Sequence, residues 1–153
     1  MTSARSTTPP TAAHHPARRP AAAVGAVFLL VGILGFIPGI TTNYDQLGFA
    51  GHHSGALLLG IFAVSVLHNV VHLLFGVAGL VLARSAGGAL AFLVGGGVVY
   101  LVLWLYGLVV DHESPANFVP LNAADNWLHL ALGVGMIALG LVVGRAARAG
   151  ASR

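Results

Sequence analysis

The stretch 65–76 reads SVLHNVVHLLFG, and a second stretch, 122–133, reads NAADNWLHLALG. Both follow the frame cap, x, x, His or Asp, Asn, x, x, His, Leu, x, x, Gly. Asn and His are costly within membrane spans, so their recurrence is the informative part of the pattern. The frame predicts two helices that run in the same direction and belong to a parallel internal repeat, with a pseudo-twofold axis along the membrane normal.

The composition favours a chain that is surrounded by lipid. Of 153 residues, 57% are hydrophobic and 7% are charged, whereas soluble domains carry about 25% charged residues. A chain this short has too little interior to hide so much apolar surface from water. The net charge of +3 comes from scattered arginines, so the sequence lacks the basic stripe of a nucleic-acid site. The absence of cysteine excludes disulfides, thiolate metal sites and cysteine nucleophiles.

The apolar segments predict an all-α fold, a four-transmembrane-helix bundle made of two helix hairpins. A disordered cytoplasmic tail, 1–20, precedes the membrane domain, 21–144, and a basic cytoplasmic tail, 145–153, follows it. The predicted spans are about 21–38, 65–83, 89–110 and 123–143.

The apolar stretch 55–83 is too long for one upright helix, since a helix rises about 1.5 Å per residue and the hydrocarbon core is about 30 Å thick. We expect a break near Ser65, whose hydroxyl would cap a helix running to about residue 83. Residues 55–64 would then lie at the outer interface or pack against the bundle. A single, strongly tilted helix is the alternative.

The charges predict the orientation, because every arginine lies on one side of the apolar segments and every carboxylate on the other. Positively charged loops are retained on the cytoplasmic side. We therefore expect a multi-pass protein of the plasma membrane with both termini in the cytoplasm. The basic residues are Arg5, Arg18, Arg19, Arg84, Arg145, Arg148 and Arg153, and the acidic residues are Asp45, Asp111, Glu113 and Asp125.

These segments resemble a bacterial membrane family that is known as domain of unknown function 4383. The resemblance is carried by HNVVHLLFG at 68–76, by the preceding GIF at 60–62 and by DNWLHLALG at 125–133. It covers roughly 23–144 and implies a small integral membrane protein with four helices. It implies no activity, cofactor or catalytic residue.

If the two repeated helix faces meet, three imidazoles and one carboxylate come together within the bilayer. The simplest interpretation is a polar core without a cofactor, in which Asp125 pairs with His68. Interhelical hydrogen bonds of this kind contribute only about 0.6–2 kcal/mol each, yet they define the register of two apolar helices. The polar-core residues beside the cluster are Ser65, Asn69, Asn122 and Asn126.

Two cofactor hypotheses use the same groups. His68, His72, Asp125 and His129 could bind zinc or copper, since nitrogen and oxygen ligands suit these metals. Alternatively, His72 and His129 could be the axial ligands of a haem, with the glycines one turn later leaving room for the macrocycle. A proton relay or pH sensor is a further interpretation, because an imidazole changes charge near neutral pH.

The leading functional class is non-enzymatic: a structural, partner-binding or envelope-stress role, with an outward-facing His/Asn/Asp pocket as the working surface. The expected partners are the lipid bilayer and a second copy or other membrane proteins. A metal- or haem-binding redox protein or membrane enzyme is the alternative. A small oligomeric transporter or channel is a third class, although the spans lack a continuous polar stripe.

Overall fold

The computed structural model describes residues 15–151, and the parts of the predicted tails at 1–14 and 152–153 lie outside them. The described chain is mostly helical and contains four α-helices, so the all-α prediction is confirmed. The helices are α1, Arg18–Leu34; α2, Val66–Leu82; α3, Ala86–Val109; and α4, Ala123–Ala151. α1 thus begins before residue 21 and ends before residue 38, the predicted limits of its span. α4 continues through most of the predicted basic tail.

A small antiparallel sheet lies between α1 and α2 and was not predicted. Its strands are β1, Thr41–Thr42; β2, Leu57–Leu58; and β3, Phe62–Ala63, in the order β1-β2-β3, with a 3₁₀ helix at Tyr44–Gln46. The segment 55–64 packs inward, since Leu58 and Val64 are buried. The tilted-helix alternative is wrong because the helix begins only at Val66, with Ser65 as its N-cap.

Glycines allow the helices to pair as two close hairpins, α1 with α2 and α3 with α4. A Cβ built on Gly25 of α1 would lie 3.0 Å from the carbonyl oxygen of Gly76 of α2. In the second hairpin, a Cβ on Gly97 would lie 2.8 Å from the carbonyl oxygen of Gly133. Small residues at such crossings let helix backbones approach closely. Side chains of both hairpins form the buried core between them: Phe28, Phe92, Leu93, Tyr100 and Met136.

The two ends of the bundle differ in charge. One end, which we call the arginine end, contains Arg18, Arg84 and Arg145. There Arg18 Nε donates to the carbonyl oxygen of Ala83, which links the start of α1 to the end of α2. At the opposite end, which we call the sheet end, the two long loops meet where Gly51 N donates to the carbonyl oxygen of Phe118 at 2.6 Å. The helix bounds therefore separate the arginines of the described chain from its carboxylates.

Much of the apolar surface of the helices is not covered by protein. The helices Ala86–Val109 and Ala123–Gly150, of 24 and 28 residues, are long and apolar enough to cross a membrane. In the most apolar 18-residue segment of each helix, only 33% and 28% of the residues are buried. The core helix of a soluble protein would be largely enclosed. This uncovered apolar surface indicates association with a membrane.

Candidate functional site

The helices α2 and α4 both begin at the sheet end, and equivalent residues cap them. Ser65 Oγ accepts a hydrogen bond from His68 N at 3.1 Å, and Asn122 Oδ1 accepts one from Asp125 N at 3.0 Å. The Asp125 carboxylate returns the contact by accepting from Asn122 N at 3.0 Å. This reciprocal arrangement is a capping box, which satisfies two amide groups that a helix start otherwise leaves unpaired.

Asp125 also joins α4 to the sheet. Its Oδ2 accepts a second hydrogen bond from Ala63 N at 2.9 Å, and Asn122 Nδ2 donates to the carbonyl oxygen of Ile61 at 2.8 Å. The Asp125 side chain is only 3% exposed. The carboxylate therefore binds two backbone amides, and the expected pairing of Asp125 with His68 is not formed.

Near the starts of α2 and α4, three histidines lie among aromatic rings in the interior of the bundle. The rings of His68 and His72 are stacked, with centroids 4.6 Å apart. His72 also stacks on Phe28 at 5.8 Å, and His129 makes an edge contact with Tyr100 at 5.2 Å. The contact partners of His72 and His129 are thus alike, one aromatic residue from the first helix of the same hairpin in each case.

The structure brings the four predicted ligand residues to one cavity of about 90 Å³, which we call the polar pocket. It lies between the sheet and the first turns of α2 and α4. The lining includes His68, His72, Asp125, His129, Leu59 and Leu128.

A second, larger cavity of about 320 Å³ adjoins the first, and we call it the apolar cavity. His68 and His129 line both cavities, so these two side chains stand between them. The remaining lining comes from α2, α3 and the loop before α4. It consists of Val71, Tyr100, Val102, Leu103, Tyr106, Phe118, Val119 and Leu121.

Several buried polar atoms have no hydrogen-bond partner within residues 15–151. The Nδ1 atoms of His68, His72 and His129 are all in this state. So are both polar atoms of the Asn69 side chain and Oδ1 of Asn126. Native proteins leave few buried polar groups unpaired, so a cluster of them marks a place where water or a ligand is expected.

The two asparagines of the repeated frame occupy matching places. A Cβ on Gly35 would lie 2.1 Å from Asn69 Oδ1, and a Cβ on Gly107 would lie 2.2 Å from Asn126 Oδ1. Each asparagine therefore lies directly on the backbone of the preceding helix of its own hairpin. Sequence reasoning missed these glycines, although their spacing carries a signal: Gly35 follows Gly25 by ten residues, as Gly107 follows Gly97.

The geometry does not supply what the cofactor hypotheses require. Within the described residues, no group of three or more His, Cys, Asp or Glu side chains could hold a metal ion. The space that a haem would need next to the repeated glycines is filled: a Cβ on Gly76 would lie 2.6 Å from Leu29 Cγ, and one on Gly133 2.6 Å from Leu101 Cδ2. The glycines thus serve close helix packing.

The other histidines of residues 15–151 do not line either cavity. His52 and His53 form a pair in the loop before β2, with ring centroids 3.9 Å apart. In the loop after α3, His112 Nε2 lies 3.2 Å from the carbonyl oxygen of Gly107, and Glu113 N donates to Asp111 Oδ1. These residues do not line the polar pocket.

Comparison with known proteins gives a family and no function. A family model described as "Domain of unknown function (DUF4383)" matches residues 18–142. No curated protein and no solved structure matches the chain.

Proposed function

The chain belongs to the DUF4383 family, and we propose that it is a four-span protein of the plasma membrane with a non-enzymatic binding role. In this proposal both termini lie in the cytoplasm and the polar pocket faces outward. The observation that carries the binding role is a preformed cavity lined by three histidines whose buried Nδ1 atoms have no partner among residues 15–151.

The exposed residues support four spans, including the two shorter helices. α1 and α2 have 17 residues each, which corresponds to about 26 Å of helix at 1.5 Å per residue. Val27 of α1 is 56% exposed and Leu74 of α2 is 64% exposed, both near the middle of their helices. Apolar side chains left uncovered at this depth on all four helices are suited to lipid.

The separation of charge supports the orientation. The arginine end contains Arg18, Arg84 and Arg145. The sheet end contains the carboxylates and the two long loops. A positively charged end is retained in the cytoplasm. The sheet end then lies outside, and with it the polar pocket.

The composition of the site supports binding over covalent catalysis. In the part of the chain that the structure describes, no serine, threonine or lysine that could act as a nucleophile lines either cavity. The carboxylate of Asp125 is engaged by two backbone amides, so it is a structural group and leaves the histidines as the groups available for a ligand. An imidazole offers one donor and one acceptor when neutral.

Single cysteines labelled with a membrane-impermeant maleimide in whole cells test the orientation, since the chain has no cysteine of its own. Asp45→Cys and Glu113→Cys lie at exposed positions of the sheet end and are expected to react from outside. Gly87→Cys, where a side chain meets no atom within 4 Å, is expected to react only after permeabilisation. Ser54 is a poor site because its buried hydroxyl donates to the carbonyl oxygen of Val64.

Leu59 provides the test of the pocket itself, because it lines the polar pocket and is 59% exposed. Leu59→Cys should react with the same reagent from outside. Reaction at Gly87→Cys without permeabilisation would overturn the orientation. Protection of Leu59→Cys alongside reactive Asp45→Cys would mean that the polar pocket does not open outward.

A further inference from the structure

We propose that the apolar cavity binds a lipid-soluble aromatic alcohol, with the aromatic ring among Tyr100, Tyr106 and Phe118 and the hydroxyl group on the imidazole of His129. The inference rests on the proposed function and deepens it, since it names a ligand class for the space next to the polar pocket. Its volume of about 320 Å³ lies within the range of about 300–1,000 Å³ that is usual for small-molecule sites.

The lining changes from apolar and exposed to polar and buried, which defines a mouth and a floor. Val102 and Phe118 are each 58% exposed, and Val71 is 44% exposed. At the floor, Tyr100 is 4% exposed and His129 is 5% exposed. In a four-span protein this apolar mouth opens toward lipid, so a ligand would enter from the bilayer with its polar group leading.

The floor lacks a partner for its polar groups. Within residues 15–151 the His129 imidazole makes no hydrogen bond, and its Nδ1 is fully enclosed, so Nε2 is the nitrogen that a ligand in the cavity can reach. The ring that contacts the imidazole in an aromatic pair is Tyr100. A hydroxyl group can both donate and accept, so it can pair with Nε2 of a neutral imidazole in either tautomer. A ligand of this kind would give this nitrogen the partner that the described residues do not supply.

The walls select a neutral ligand with an aromatic ring. Among the described residues, no charged side chain lines the apolar cavity, so an ion would lose its hydration without gaining a counter-charge. The three aromatic side chains of the lining, Tyr100, Tyr106 and Phe118, offer the offset or edge contacts that aromatic rings prefer. Tyr106 is held in place because its hydroxyl donates to the carbonyl oxygen of Ala116, which leaves its ring for the cavity.

The test measures binding of 1-naphthol to the full chain in lipid nanodiscs by titration calorimetry, with 2-methylnaphthalene as the matched probe without a hydroxyl. Val102→Trp should close the mouth and abolish saturable binding of 1-naphthol. Val98→Trp is the control: it lies one turn away on α3, is 48% exposed and does not line the cavity. It should bind as the wild type does.

A third variant, His129→Leu, separates the hydroxyl contact from apolar burial. It should weaken the binding of 1-naphthol about ten-fold, which is the effect of losing one hydrogen bond of about 1.4 kcal/mol. The affinity for 2-methylnaphthalene should stay unchanged. Circular dichroism checks that each variant is folded.

Three results would overturn the proposal. They are no saturable binding to the wild type, undiminished binding to Val102→Trp, and equal affinity for both probes together with insensitivity to His129→Leu. The last result would assign the cavity to hydrocarbon chains of lipid. None of them affects cysteine labelling, so failure of this inference is distinguishable from failure of the proposed orientation.

Discussion

Phe28 of α1 stacks on Tyr100 of α3, with ring centroids 5.3 Å apart and planes inclined by 23°. The two residues hold equivalent places, since Phe28 contacts His72 and Tyr100 contacts His129. The hairpins therefore meet through corresponding aromatic residues, each of which also contacts a histidine of the repeated frame. The single difference in chemistry is the hydroxyl group of Tyr100, a residue that lines the apolar cavity.

Asp125 is expected to contribute to stability as a tie between α4 and the sheet. Asp125→Ala removes a buried acceptor from two backbone amides, Ala63 N and Asn122 N. We expect the free energy of unfolding to fall by about 2–3 kcal/mol, measured by denaturation in detergent. Asp125→Asn keeps an oxygen acceptor and should lose clearly less. Equal losses for both variants would contradict the proposed role of the acceptor.

The contacts of Asn69 with Gly35 and of Asn126 with Gly107 predict intolerance of a methyl group. Gly35→Ala and Gly107→Ala should each lower the free energy of unfolding by about 1–3 kcal/mol through overpacking. The double variant Gly35→Ala/Asn69→Ala should recover part of the loss, because the clashing side chain is removed.

Two other glycines are the controls for this prediction. A Cβ on Gly95 or Gly135 meets no atom within 4 Å, so Gly95→Ala and Gly135→Ala should leave the melting temperature unchanged or slightly raised, since alanine is the better helix former. Uniform effects at all four glycines would mean that local packing does not decide the outcome.

His72 is expected to contribute little to stability, despite its place in the core. Its buried Nδ1 has no partner among residues 15–151, so His72→Leu exchanges an unpaired polar atom for apolar contact. The free energy of unfolding should change by less than about 1 kcal/mol. Phe28→Ala, which removes the ring against which His72 stacks, should cost about 3–5 kcal/mol. A large loss in His72→Leu would reveal a hydrogen bond to the imidazole.

The cofactor hypotheses have a direct spectroscopic test. Purified in mild detergent without a polyhistidine tag, the protein is expected to show no Soret band and no near-stoichiometric zinc or copper. The reason is geometric: the residues beside Gly76 and Gly133 fill the space that a macrocycle would need, and Asp125 is engaged by the backbone. A Soret band or bound metal that disappears in His72→Ala and His129→Ala would restore these hypotheses.

The helix starts could be predicted from sequence because capping is local. The side chains of Ser65 and Asn122 each accept a hydrogen bond from the backbone amide three residues later, and the apolar run after each continues the helix. The strands could not be predicted in this way. Each has two residues, too few for a periodic pattern, and β3 receives its tie from Asp125, 62 residues away.

The candidate site was predicted only in part. The four-residue spacing of His68 and His72 placed both on one helix face, and the structure stacks their rings. Which atoms the carboxylate of Asp125 would bind depends on the sheet, whose amide of Ala63 lies within reach. The apolar cavity has no signature in the sequence, because its walls come from three separate parts of the chain.

By itself, the sequence determined the helical class, the family resemblance, the separation of charge and the frame that places Asn and His on two helices. These properties follow from local hydropathy, capping chemistry and residue order. The tertiary structure alone decided that Phe28 and Tyr100 join the hairpins, that Asp125 serves the backbone and that His129 stands between two cavities. Those relationships depend on how closely the helices approach one another. That distance is set by the volumes of side chains that meet in space although they are far apart in the sequence.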